Sequence, residues 1–227
     1  MERVRGRRWL WNLLSVALIL GLTILWTPGA RAEVKTSLAI LPVLVERGGD
    51  PGRGATCPLC KRVYRKGEIL SGSQNILTQL LYQKVEAIGT FKVVAPEKME
   101  EAFSNWDKKL FKERPIPSLI QLGKELNVDF ILVGFLFRFE ERIGSSLGVE
   151  RPASVGFDVH LFRLRDERMV WEGRFDETQR PLSENLLKIG SFFRRKAQWL
   201  TAEELASVGM DEMLSRFPGP TELEEKQ

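Results

Sequence analysis

Residues 1–32 have the layout of an export leader, which removes them from the folding problem. Arg3, Arg5, Arg7 and Arg8 make a basic head. An uncharged, mostly apolar run extends from Trp9 to Trp26, and Thr27-Pro28-Gly29 leads into the small-x-small site Ala30-Arg31-Ala32. Basic head, apolar middle and small-residue site are the three parts of a secretory signal peptide, here expected to be cut after Ala32. The alternative is a retained anchor that keeps the body in membrane contact, because the 18-residue run (9–26) lies at the lower edge of what spans a bilayer. Pro28 and the Ala-x-Ala site favour cleavage. Arg7-Arg8 lacks the surroundings of a twin-arginine signal, and no cysteine stands at the cleavage site to carry a lipid. What folds is then a body of 195 residues in an oxidising compartment, the bacterial periplasm.

The leader also accounts for the charge. Its five Arg and one Glu supply the chain's entire net +4. The body is therefore charge-balanced, with no bulk electrostatic attraction for nucleic acid or anionic lipid, and nucleic acid is excluded as a partner. A body of this length can bury one substantial core. Only two cysteines are present, Cys57 and Cys60. They are too few for a disulfide-built scaffold, so apolar packing must hold the fold.

Leu38 to Val45 reads as a short buried strand, with Pro42 placing its outer half at an edge or outside the sheet. Residues 46–70 break the pattern with Gly48-Gly49-Asp50-Pro51-Gly52, the cysteine pair and a basic run, as a loop or small hairpin excursion. Ser71 to Gly89 carries Leu77, Leu80, Leu81, Val85 and Ile88 at helical spacing, with Ser71 or Ser73 as cap and Gly89 as stop. Phe91–Ala95 is a second strand, Pro96 opens a helix to about Leu110, Pro115 and Pro117 interrupt, and a short helix ends near Asn127. Val128–Phe139 is the strongest strand: continuous and apolar at first, then alternating as if one face were wet. Val155, Phe157, Val159 and Leu161 share a face of the next strand, which the turn Arg165-Asp166-Glu167-Arg168 joins to an antiparallel partner over Met169–Asp176. Thr201-Ala202-Glu203-Glu204 is a capping box opening a helix to about Arg216. Residues 218–227 read as a disordered tail. The fold class is α/β (α+β): one domain over 33–217, built on a single mixed β-sheet with flanking helices, an antiparallel hairpin at the sheet's C-terminal end and terminal helices.

Three phrases carry a family resemblance. Leu38-Ala39-Ile40-Leu41-Pro42 looks like an opening strand, Leu126 to Gly134 like an "aspartate, strand, glycine" phrase, and Val155 to Trp171 like paired strands ending in tryptophan. Over residues 37–177 the chain resembles the periplasmic fold shared by the TolB amino-terminal domain, CsgG and LpoB. The resemblance implies an envelope accessory role and no catalytic residues. The chain departs from that family in lacking an anchoring cysteine, in having Glu167-Arg168 where Thr-Gly is usual, and in its cysteine excursion.

Cys57-Pro58-Leu59-Cys60-Lys61 is the sharpest local motif. Thiolates two residues apart can grip one tetrahedral metal, as in one knuckle of a zinc ribbon or rubredoxin. A closed site needs four ligands, so zinc through Cys57 and Cys60 calls for a site shared between two chains or for carboxylate ligands. A local disulfide, a redox pair and haem attachment are the other readings. His160, the sole histidine, shares a strand face with Asp158 and reads as a half-exposed strand residue, with Glu172 or Arg174 opposite. The polar run from Phe175 to Asn185, with Asp176, Glu177, Gln179 and Arg180, is a candidate partner-binding loop. Arg194, Arg195 and Trp199 form a candidate aromatic–basic patch beside Phe192 and Phe193. No phosphate loop, metalloprotease helix or nucleophile elbow appears. The expected function is a non-enzymatic periplasmic accessory protein with an envelope protein partner or a homo-oligomeric state. A metal- or redox-active protein centred on Cys57 and Cys60 is the alternative.

Overall fold

The computed structural model describes residues 36–47, 54–180 and 199–225, all within the unit Lys35–Gln227. The expected leader, all of the polar run beyond Arg180, and Arg194 and Arg195 lie outside the described residues. In chain order the elements are the strands Ser37–Ile40 (β1), Leu44–Val45 (β2), Ala55–Thr56 (β3) and Val63–Tyr64 (β4), the helix Ser73–Ile88 (α1), the strand Lys92–Val93 (β5), and the helices Pro96–Asn105 (α2), Lys108–Glu113 (α3) and Pro115–Leu126 (α4). The strands Phe130–Glu140 (β6), Ile143–Gly144 (β7), Val149–Arg151 (β8), Ser154–Arg163 (β9) and Arg168–Thr178 (β10) follow, then the helices Ala202–Leu214 (α5) and Pro220–Glu225 (α6).

A six-stranded mixed sheet runs β10-β9-β6-β1-β5, with β2 also pairing with β6. β1 and β2 lie parallel to successive stretches of β6, Leu38↔Phe130 and then Leu44↔Phe135. Pro42, which has no N–H to give a ladder, interrupts rather than ends the pairing. The Val43 N–H turns instead to Thr78 Oγ1 on α1 at 2.9 Å. β9 is antiparallel to β10, as the sequence led one to expect, and also to β6.

Alternation along β6 and β9 sends side chains into two separate cores. Leu132, Leu136, Val155, Phe157, Val159 and Leu161 face α1 and α5, where Leu77, Leu81, Leu205 and Met210 meet them. Ile131, Val133, Phe135, Phe137 and Phe162 face the opposite layer, made of α2 to α4 and the β3–β4 hairpin. That hairpin covers the part of the sheet the helices leave open, and it puts Cys57 and Tyr64 into the second core.

Several expectations are corrected. The second half of β6 has no wet face: Leu136 and Arg138 are both buried, Arg138 because Ser154 Oγ, Val155 O, Arg65 O and Asp176 Oδ1 accept its hydrogen bonds at 2.6–3.2 Å. α1 starts on Gly72 with no side-chain cap. The helix after Pro96 breaks at Trp106, where Asp107 caps a new helix through its carboxylate. Pro115 opens α4 instead of interrupting one, since the first helical position needs no N–H. Residues 220–225 form α6 rather than a disordered tail, because Leu223 is buried against the sheet's first core and its carbonyl accepts a hydrogen bond from Arg163. The β7–β8 hairpin was not anticipated. The capping box at Thr201 and Glu204 and the end of α4 near Asn127 are as read from the sequence; the structure adds that Asn127 is left-handed. Among the described residues no helix is long and apolar enough to cross a membrane.

Candidate metal centre

β9 places Asp158 and His160 two residues apart, so both side chains leave the same face of the sheet. Their strand neighbours on β10 are Arg174 and Glu172, and on β6 Phe135 and Val133. The face they share is the one the β3–β4 hairpin covers. Cys57 and Cys60 sit in the turn of that hairpin, closed by Cys57 N–H to Arg62 O at 2.9 Å and Lys61 N–H to Cys57 O at 3.1 Å. Lys61 takes a left-handed conformation, φ 62°, and its Nζ donates to Pro58 O. Arg62 forms an ion pair with Glu172 on β10, and Arg65 donates to Ser154 and Thr178, so the stretch just after the cysteines is tied to the sheet at two points.

One donor atom from each of Cys57, Cys60, Asp158 and His160 lies within 4.8 Å of every other. His160 Nε2 is 3.3 Å from Cys57 Sγ and 3.2 Å from Asp158 Oδ1, and Cys60 Sγ is 3.7 Å from Asp158 Oδ2. His160 and Asp158 are each 1% exposed and Cys57 is fully buried; Cys60 is half-buried, and both cysteines are free thiols. The sequence reading of His160 as a half-exposed strand residue is therefore corrected: the hairpin and Phe135, 6.1 Å from the imidazole ring, enclose it.

The centre is chemically unbalanced as a purely organic cluster. Burial first, then the neighbouring Asp158 carboxylate, push the Cys57 thiol well above its usual range. Backbone N–H groups of Cys60 and Leu59, aimed at the same sulfur, act the other way. Tyr64 is raised likewise, by burial and then by Asp158 beside it. Its ring stacks on Phe137 at 3.9 Å, and the Arg174 guanidinium lies 5.3 Å from the ring centroid. Tyr64 Oη, Asp158 Oδ1 and His160 Nδ1 are all buried and complete no hydrogen bond. Buried polar groups are normally paired; of the three, Asp158 Oδ1 faces the cluster, 3.2 Å from His160 Nε2.

The other candidate residues do not join this cluster. Asp176 and Glu177 belong to β10 rather than to a loop; Asp176 is held by Arg138 at 2.7 Å. Gln179 is buried, and its Oε1 accepts from the Leu200 N–H at 2.8 Å, so it packs the chain instead of presenting a binding surface. Arg180 is exposed. Trp199 is half-buried, with its N–H on Ser146 O and its carbonyl accepting from Arg142. Sequence reasoning placed Asp158 and His160 on one face but did not bring them to the cysteines. The available signal was that this face also carries Phe162, and is therefore a core face.

No protein-family model matches the chain, and no curated protein matches it in sequence. In structure it is similar to PelC, a dodecamer from Paraburkholderia phytofirmans, at 11% identity, covering 80% of this chain and 86% of that one with a TM-score of 0.46. It is similar to the C-terminal domain of LpoB from Salmonella enterica, at 12% identity, 64% and 84% coverage and a TM-score of 0.36. A lipoprotein from Neisseria meningitidis aligns at 15% identity, 71% and 98% coverage and a TM-score of 0.38. Likenesses of this strength assign neither a family nor a function.

Proposed function

We propose that the chain is an exported, non-enzymatic accessory protein of the bacterial envelope, working through contact with an envelope protein. The observation that carries the reading is the closure of its one concentrated group of chemistry-bearing side chains among the described residues. Cys57, Asp158 and His160 are sealed between hairpin and sheet, at most 1% exposed. If an ion were held there, the four protein donors would fill a tetrahedral coordination, whereas catalytic sites keep one position open for water or substrate. A centre of this kind supports a shape rather than turning over a ligand. The leader-like residues 1–32 and the charge-balanced body support the compartment.

Two measurements test this. The protein is recovered from fractionated cells and its N-terminus sequenced; a periplasmic protein beginning at Glu33 is expected, and an intact precursor in the cytosol overturns the compartment. Crosslinking in intact envelopes, from a photoreactive residue at exposed Leu147, is expected to capture a specific envelope protein. Catalytic turnover that is abolished by changing Cys60, Asp158 or His160 overturns the non-enzymatic assignment.

A further inference from the structure

The geometry points to a zinc site closed within a single chain by Cys57 Sγ, Cys60 Sγ, His160 Nε2 and one oxygen of Asp158. This goes beyond the accessory role and does not depend on compartment or partner.

Donor spacing is the first argument. Bond lengths of about 2.3 Å to sulfur, about 2.0–2.1 Å to imidazole and about 2.0 Å to carboxylate, at tetrahedral angles, put donors about 3.3 Å apart for N–O and about 3.5 Å for S–N and S–O. The protein holds His160 Nε2 3.3 Å from Cys57 Sγ and 3.2 Å from Asp158 Oδ1, and Cys60 Sγ 3.7 Å from the other carboxylate oxygen, Oδ2. One donor atom from each of the four residues lies within 4.8 Å of every other, so a small adjustment of the carboxylate completes one tetrahedron.

The knuckle itself is the second argument. The turn that carries both cysteines is closed by Cys57 N–H to Arg62 O at 2.9 Å and Lys61 N–H to Cys57 O at 3.1 Å. The left-handed Lys61 turns the chain back immediately after Cys60. Such a turn directs both sulfurs to one point.

Charge is the third. Asp158 is 1% exposed, and its ion-pair partner is His160 Nε2 at 3.2 Å. Burying a carboxylate without full compensation is unfavourable. A dication supplies the missing counter-charge and deprotonates a coordinating thiol outright. It also gives Asp158 Oδ1 a partner, and it leaves the Tyr64 hydroxyl free to donate to the carboxylate oxygen that the ion does not take.

Two thiolates with imidazole and carboxylate in tetrahedral array suit zinc; an iron–sulfur cluster would call for more thiolates, and magnesium or calcium for oxygen donors. The ligands come from positions about a hundred residues apart, so the ion would clip the β3–β4 hairpin onto β9.

The test is metal analysis of the full-length exported protein purified with reductant and no added metal. One zinc per monomer is expected, with both thiols shielded from alkylation until a chelator is added. Cobalt(II) exchanged into the protein should show tetrahedral, thiolate-type absorption. Asp158→Ala should weaken zinc by more than the roughly 10–100-fold that loss of an outer-shell partner costs. Asp158→His, which restores a fourth donor, should retain one zinc per chain, so a merely misfolded Ala variant is recognisable. Metal-free, folded protein with a Cys57–Cys60 disulfide overturns the proposal. So does one zinc shared between two chains, or zinc that stays at full stoichiometry and affinity in the double variant Asp158→Ala/His160→Ala.

Discussion

Tyr64 shows how one side chain can serve packing and chemistry at once. Its ring is fixed between Phe137 and Arg174, while its hydroxyl stands beside Asp158 without a completed hydrogen bond. Tyr64→Phe keeps the ring and removes only the hydroxyl, so the fold should survive. Zinc affinity, read by competition with a chromophoric chelator, should fall about 10–100-fold; a change within twofold would place the hydroxyl outside the support of the centre. Arg163 and Asp166 make a second residue-level case. The guanidinium, 3% exposed, donates to both carboxylate oxygens at 2.9 and 2.6 Å and to Leu223 O on α6. That pairing holds the Asp166 pKa below its ordinary value. A lowered folded-state pKa gives stability that is complete above the unfolded value of about 3.9 and is lost as pH falls through the folded one. Because Asp166 is exposed to solvent, Asp166→Asn should therefore cost no more than about 1 kcal/mol at pH 7, and in urea titrations the gap between the two proteins should close in acid, below the unfolded value. A gap of the same size at pH 7 and in acid would show that the carboxylate charge is not what matters. At this scale the sequence was half legible. The Cys-x-x-Cys knuckle is local and could be read directly, and alternation put Asp158 and His160 together. Their meeting is a contact across about a hundred residues, which no local pattern encodes.

Elements were legible where periodicity and punctuation agree. β9 and β10 alternate cleanly around a charged turn, and α5 opens on a capping box whose reciprocal hydrogen bonds are both made. Legibility failed where packing outvotes local signals. Arg138 looked like the wet face of a strand and is buried because five acceptors surround it. The chain end looked disordered because one apolar residue in a polar stretch carries little periodic signal, yet Leu223 is buried in the first core and its carbonyl is held by Arg163. The packing of α5 on β10 gives a prediction in which two opposed effects have known sizes. Gly209 faces the Phe175 ring, and a Cβ there would sit 2.5–2.6 Å from ring atoms. Alanine gains about 1 kcal/mol of helix propensity over glycine, whereas overpacking a tight contact costs about 1–3 kcal/mol. Gly209→Ala should thus be neutral to about 2 kcal/mol less stable in urea denaturation. Gly148→Ala, with open space around its Cα, is the control expected within about 0.5 kcal/mol. Stabilisation of Gly209→Ala by a full kilocalorie would mean that α5 does not press on Phe175.

The molecule as a whole has two cores on opposite faces of one sheet, and only one of them touches the metal centre. The first, between the sheet and helices α1 and α5, contains none of the four donors. The second takes just Ala55, Cys57, Leu59 and Tyr64 from the β3–β4 hairpin as buried residues; the rest comes from β1, β6, β9, helices α2 to α4 and adjoining chain. Withdrawing the ion therefore removes the clip from a small flap while most of the buried surface stays as it was. Free energy bound up in the ion is folding free energy only for what the ion holds in place, and opening by parts is general where one unit has few buried contacts. Chelation should accordingly release the hairpin without unfolding the sheet. In hydrogen exchange, amides over 54–65 should lose protection on chelation and regain it when zinc is returned, while those of β6 and β9 stay protected in both states. The pair Cys57→Ser/Cys60→Ser should resemble the chelated protein and ignore added zinc. Loss of protection across β6 and β9 together with the hairpin would show instead that the ion and both cores form one cooperative unit, making the centre a condition of folding and not a clasp upon it.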